Sequence, residues 1–378
     1  MTHKTSIHII IFLSIILICF GAGVYGMFHL NQLKETANSD ICEWIPDDCI
    51  GVFESDNMDF FTNELLRVQY ASQLDTLRNM GFIKIILSDL VSFNFTKSHS
   101  FVGNLNHLVV SFHTNKNPRD IVAYFKVGEE TKSYFYDVIT RRHGVSFMPK
   151  KEEYRGEKIY IYPVDENNYV SVFGGDGVVV ASLQKRLVEK VIDAKKDKNS
   201  LGQDKLFRSL YQNKQENFMT LYGRGPSVPS LSYGKSHYWT NYDINMNRDV
   251  FYLSGSTYEC VPEGDIPCVE CLDDIKSQSG EGFLIVNGNE AVDSCISTAI
   301  VKENPNQFDK VLSGLSRDAQ CIMAFDMEKV ASSPEKFKPY LPPVLYDYPW
   351  MLRHFIMSVQ FSVVDGQLFH IFIFTYKH

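Results

Sequence analysis

Apolar and polar residues alternate along most of this chain in short runs separated by turn residues, the pattern of hairpin-rich antiparallel sheet. In YVSVFGGDGVVVAS, Tyr169 to Ser182, two β-type segments flank Gly174, Gly175, Asp176 and Gly177, residues that supply positive φ, and a hairpin is expected. Asn106 to Gly128 gives a second hairpin, turning through Asn117-Pro118, and Tyr238 to Tyr258 a third, turning at Asn247 to Asp249. Phe355 to Tyr376 gives a fourth, with Asp365-Gly366 between alternating strands as the strongest local signal. Helical spacing is confined to a few stretches. Leu187, Val188, Val191 and Ile192 make one stripe, and Ala291, Val292, Cys295 and Ile296 make another. Ser182 is the natural N-cap of the first, and Asn287 or Asn289 of the second. Phe61, Leu65, Leu74 and Leu77 make a third helical stretch that stops at Gly81.

These elements recur in the same order. GVVVASLQKRLVEKVIDA, Gly177 to Ala194, aligns with GFLIVNGNEAVDSCISTA, Gly282 to Ala299. Downstream, Asp204 to Gly223 aligns with Asn306 to Asp326, and each is followed by a Pro-rich loop and a hairpin. DDCIGVFESD, from Asp47, resembles AQCIMAFDME, from Ala319, as the start of a partial third copy. The expected fold is α+β: an N-terminal transmembrane helix, then two related subdomains of antiparallel hairpin-rich sheet with helices on one face, residues 45–223 and 237–378. They meet near the loop from Gly223 to Gly234.

Composition adds location. The 378 residues are 44% hydrophobic and 22% charged, a globular balance, and the 27 Phe and 20 Tyr favour strands. A net charge of −8 without a run of four basic residues excludes a nucleic-acid partner. Ile7 to Leu30 contains no Asp, Glu, Lys or Arg and is long enough to span a bilayer. Residues 1–30 read as an uncleaved signal-anchor in contact with membrane lipid, and residues 31–44 as a tether; a cleaved signal peptide with Gly21 at −3 and Gly23 at −1 is the alternative. Lys4 ahead of the span places the N-terminus in the cytoplasm and the bulk of the chain in the periplasm.

The order YRGEKIYIYP, YVSVFGGDGVVVASLQKRLVEKVIDA, LFRSLYQ, NFMTLYG, YWTNYDI, DVFYLSG resembles a family of bacterial envelope proteins, common in Bacteroidetes, that consists of one N-terminal span and a large extracytoplasmic domain of unknown function. The resemblance covers most of Ile45 to Tyr376. It implies location and architecture and carries no activity.

Candidate chemistry is sparse. The glycine loop leads into Val178-Val179-Val180, a strand, so no helix N-terminus follows to cradle a phosphate. Cys49 and Cys321 occupy matching apolar positions and Cys295 lies on its helix stripe, which reads as core. Cys42, Cys260, Cys268 and Cys271 lie on connecting segments in a compartment that permits disulfides. The cluster Cys260, Cys268 and Cys271 reads as a disulfide or idle thiols. Redox chemistry at Cys268-x-x-Cys271 and a metal site completed by His237 remain open beside it. The histidines show no metal-binding spacing and no Gly-x-Ser-x-Gly elbow occurs, so neither a catalytic residue, a cofactor nor a metal is expected. The functional expectation is a membrane-anchored, envelope-facing binding or scaffold protein with an envelope protein partner and no catalytic activity. Trp239, Tyr242, Tyr346, Tyr348 and Trp350 are its candidate contact patch, unless they are sheet core. The alternative is a thiol-disulfide or metal-dependent enzyme centred on the three cysteines.

Overall fold

The computed structural model describes residues 40–56, 82–83, 107–113, 117, 119–126, 148–163, 166, 168–212, 219–225, 228, 238–246, 250–259, 272, 274–342, 352–364 and 367–377. Fifteen strands lie among them. The first seven are β1 (Gly51–Ser55), β2 (Leu108–Phe112), β3 (Ile121–Lys126), β4 (Lys150–Tyr154), β5 (Glu157–Pro163), β6 (Tyr169–Gly175) and β7 (Val178–Ser182). The other eight are β8 (Met219–Arg224), β9 (Tyr238–Met246), β10 (Val250–Glu259), β11 (Gln278–Gly280), β12 (Phe283–Asn287), β13 (Cys321–Asp326), β14 (Phe355–Val364) and β15 (Gln367–Tyr376). The described helices are α1 (Lys185–Asp197), α2 (Lys205–Gln212), α3 (Asn289–Ile300), α4 (Gln307–Ser313), α5 (Met327–Ser332) and α6 (Pro334–Phe337).

All fifteen strands join one sheet, in the order β11-β12-β13-β14-β15-β10-β9-β8-β1-β2-β3-β7-β6-β5-β4, and every neighbouring pair is antiparallel. The architecture is sheet-rich α+β. The expected hairpins form because their turns suit the strand twist. Gly175 stands opposite Val178, with Asp176 and Gly177 at φ of 44° and 75°, the two positive values a tight hairpin turn needs. Val364 opposite Gln367 leaves two residues for the Asp365-Gly366 connection. The boundary drawn after Gly223 falls inside β8, which pairs with both β1 and β9, so the two halves share one continuous sheet.

Period-two alternation decides what each face buries. In β13, Cys321, Met323 and Phe325 point to one face and Ile322 and Ala324 to the other, and all five are buried. Register carried across the sheet puts Ala324, Ser358, Ile373, Tyr252, Tyr222, Val52 and Tyr124 on a single face. Both helix pairs pack there. Leu187, Val188, Val191 and Ile192 of α1 and Phe207 and Leu210 of α2 close over Val52, Val109, Tyr124 and Val180. Val292 and Ile296 of α3 and Leu312 of α4 close over Val286, Ile322 and Ala324. The short α5 and α6 take the opposite face, where Met327, Val330 and Phe337 meet Phe325, Met357 and Phe374. Fully burying each such side chain contributes roughly 1.5–3 kcal/mol.

Three local expectations are corrected. Ser182 ends β7 instead of capping α1; its hydroxyl donates to Ile121 O and accepts from Gln184 N–H, and Gln184 is the N-cap. Gly288, at φ of 98°, takes the N-cap of α3 in place of Asn287 or Asn289. Asn287 Nδ2 instead donates to Leu272 O and Ile275 O, holding the preceding connection. The α3 stripe runs through Val292, Ile296 and Ala299, while Ala291 is exposed and Cys295 half-buried, because the helix starts at Asn289 and rotates accordingly.

The copies keep matching registers. A strand followed by a hairpin occurs as β1-β2-β3, β8-β9-β10 and β13-β14-β15. Val52 opposite Ser111, Tyr222 opposite Asn241 and Ala324 opposite Ser358 are equivalent pairs. The units differ in how the preceding ribbon docks. β12 pairs with β13, the first strand of its own unit, whereas β7 pairs with β3, the last strand of the unit before it.

Candidate functional site

On the helix face α4 packs over β14 and α2 over β9 and β10. Between the strands they cover lies a groove of about 550 Å³, within the usual range for small-molecule sites. Its floor is Val250 and Tyr252 of β10, Ile373 and Thr375 of β15 and Ser358 of β14, and its wall is the Gln307, Lys310 and Val311 side of α4. Sequence builds that wall firmly. Asn306 and Asp309 form a reciprocal capping box at the start of α4, and Gln307 Nε2 donates to Tyr376 O at 3.0 Å, pinning the helix to the end of β15. Two polar groups stand out. Ser358 is fully buried and its Oγ has no hydrogen-bond partner. Lys310 is exposed and has no carboxylate partner among the described residues.

A second polar group gathers where β1 and β2 end. Glu54, Asp56 and His107 can each offer one ligand atom within 4.8 Å of the others. His107 Nε2 lies 3.3 Å from Glu54 Oε1, and Nδ1 contacts Asp56 Oδ1. Glu54 is buried beneath α2, where Tyr211 O–H donates to Oε1 at 2.7 Å and Tyr222 O–H reaches Oε2 at 3.4 Å. Burial, and then the Glu54 charge, push both phenols well above their ordinary value, so they stay protonated donors.

A third array resembles a hydrolase triad in atom order: Ser111 Oγ to His113 Nε2 at 2.8 Å, then His113 Nδ1 to Asp48 Oδ1 at 3.6 Å. Its chemistry is closed. Ser111 is fully buried and also bonds Tyr124 O–H at 3.0 Å, so no substrate carbonyl can approach. Asp48 is held below the usual carboxylate range by His113, with Lys190 of α1 adding to the effect. The array ties α1 to the sheet.

Most residues singled out from sequence lie elsewhere. Cys260, Cys268, Cys271, His237, Tyr346, Tyr348, Trp350, the helical stretch from Phe61 to Leu77 and the span Ile7 to Leu30 are outside the described residues. Among the described residues no helix is long and apolar enough to cross a membrane. Cys42, grouped with the connecting cysteines, is a free thiol buried in the short 3-10 helix Ile41–Glu43. Cys49 and Cys321 are free and buried as expected, and burial pushes both thiols up to about 12, which leaves them inert. Trp239 and Tyr242 are sheet core, packed beneath Phe207 and against Phe372, and so are not a contact patch. Glu54, Asp56 and His107 were not singled out, although GVFESD places Glu54 in register with Val52 at an inward position of an apolar strand. That was the available signal.

The elements and sites together define a sheet-rich α+β protein with an open groove and a part-buried carboxylate–imidazole cluster. No protein-family model matches the chain, and comparison with curated proteins and with solved structures finds no match.

Proposed function

We propose that this is a membrane-anchored, envelope-facing binding or scaffold protein without catalytic activity, and that the groove beside α4 seats its partner. The observation that carries the reading is the groove itself: an apolar floor, a fully buried Ser358 hydroxyl with no partner, and Lys310 at the rim. Such a site suits an elongated, mostly apolar segment with an acidic end. The apolar stretch from Ile7 to Leu30 and the resemblance to anchored envelope proteins support the location. The thiol reading rests on Cys260, Cys268 and Cys271 and gains no support from the described residues.

A photo-crosslinking residue at Val311, in the full chain in native membranes, tests the proposal. A discrete adduct with one envelope component is expected, weakened by Lys310→Glu and absent when the probe stands at Met148, exposed in the other half. A correctly folded protein that gives no adduct from Val311, or the same adducts from both positions, overturns it.

A further inference from the structure

We infer that Glu54, Asp56 and His107 form a binding site for one divalent first-row transition-metal ion. Three side chains of metal-binding type leave the same face of the sheet at the same end. Ser55 stands opposite Leu108, so Asp56 and His107 are the next pair along, with Glu54 beside them. Carboxylate and imidazole donors suit ions of the manganese-to-zinc series, and three protein ligands leave a position open for water. The His107 ring lies between the two acids, with Nε2 3.3 Å from Glu54 Oε1 and Nδ1 against Asp56 Oδ1, so a turn of the ring presents one nitrogen to an ion that both carboxylates share. Tyr211 and Tyr222 hold the Glu54 carboxylate from behind, the outer support that orients a ligating oxygen.

The other copy offers a comparison. Aligned registers make Asp326, Glu328 and His354 the equivalents of Glu54, Asp56 and His107. There the acid pair already holds a cation: Lys377 Nζ lies 2.8 Å from Asp326 Oδ1 and 3.0 Å from Glu328 Oε2. The equivalent of Lys377 is Lys126, because Leu108 faces Phe125 as Phe355 faces Tyr376. Lys126 makes no ion pair among the described residues; it continues β3 opposite Val178. The acid pair that a lysine contacts in one copy stands against an imidazole in the other. This site is separate from the groove and does not depend on its role.

The test uses the full chain in detergent, stripped with a chelator and titrated with Zn²⁺ and with Co²⁺. One equivalent is expected to bind, and the cobalt spectrum should show d–d bands without thiolate charge transfer. Binding should survive the combined Cys260→Ser, Cys268→Ser and Cys271→Ser changes and be lost in His107→Asn. Tyr211→Phe should keep the stoichiometry and weaken affinity about 10- to 100-fold. A readout without variants is the protection of His107 from diethyl pyrocarbonate by Zn²⁺. Equal modification rates with and without metal, or undiminished binding in His107→Asn, would overturn the assignment.

Discussion

The first and last strand-plus-hairpin units, β1-β2-β3 and β13-β14-β15, share register and differ in what they bury. The first carries Glu54, Ser111 and His113 into its core beneath α1 and α2. The last is almost wholly apolar there, with Ser358 and His370 as its buried polar side chains. Aligned positions also meet opposite solutions to charge. Asp326 and Glu328 are neutralised at the surface by Lys377, whereas Glu54 is taken beneath a helix, accepts from two tyrosines and lies beside an imidazole. Burying a carboxylate is costly unless it is hydrogen-bonded and charge-matched, so the first unit spends stability on a polar cluster that the last does without. The same strand-and-hairpin framework therefore carries an apolar core in one unit and a buried polar cluster in the other.

The sharpest way to break this comparison is to weaken the apolar copy. Phe325→Ala removes a fully buried ring between Phe337 and the sheet and should cost about 3–5 kcal/mol in urea unfolding. Because β8 fuses the halves, the loss should appear in one cooperative transition that probes in both halves report together.

The next effect is a pH dependence belonging to the last unit. His370 is buried among Tyr242, Phe361 and Phe372, and burial lowers its imidazole to about 3 from an ordinary 6.5. Below pH 6.5 the unfolded chain takes up a proton that the folded chain refuses, so this residue's contribution to stability falls as pH drops from about 6.5 towards 3. At pH 5 the loss amounts to about 2 kcal/mol. Comparing urea midpoints at pH 7 and 5 should show a smaller drop for His370→Phe than for the parent protein.

The smallest effect compares the two lysines directly. Lys377→Met leaves the Asp326 and Glu328 charges facing each other and should cost about 1 kcal/mol, while Lys126→Met should stay within about 0.5 kcal/mol. Equal thermal shifts for both would deny that the copies handle charge differently.

Local features of this fold were legible in the sequence, and long-range ones were not. Asp176-Gly177 fixes its hairpin through positive φ that those residues tolerate, and Val364 opposite Gln367 is the pairing that the Asp365-Gly366 signal led one to expect. The stripe Leu187, Val188, Val191 and Ile192 needs only helical periodicity to be read, and it is buried as expected. The seam between β1 and β8 joins Phe53 to Leu221 across most of the first half of the chain, and no local signal marks such a pairing. The Glu54 and His107 site stayed hidden for the same reason, since its members meet only when β1 pairs with β2. The cap of α1 moved from Ser182 to Gln184 because β7 extends through Ser182 to satisfy Ile121 O.

The two outermost strands among the described residues disfavour growth of the sheet. β4 presents Lys150, Lys151, Glu152 and Glu153, and is pulled onto α1 by Lys185 bonding Glu152 and Tyr154 bonding Asp193; all three residues of β11 are exposed, and it is only three residues long. An open ribbon of fifteen strands is otherwise a template on which further chains could add edge to edge. A second copy arriving at β4 in antiparallel register would meet charged side chains that must be desolvated or matched, and one arriving at β11 would find too short a ladder to hold it. Among the described residues, charge on β4 and shortness of β11 each disfavour polymerisation through the sheet's ends.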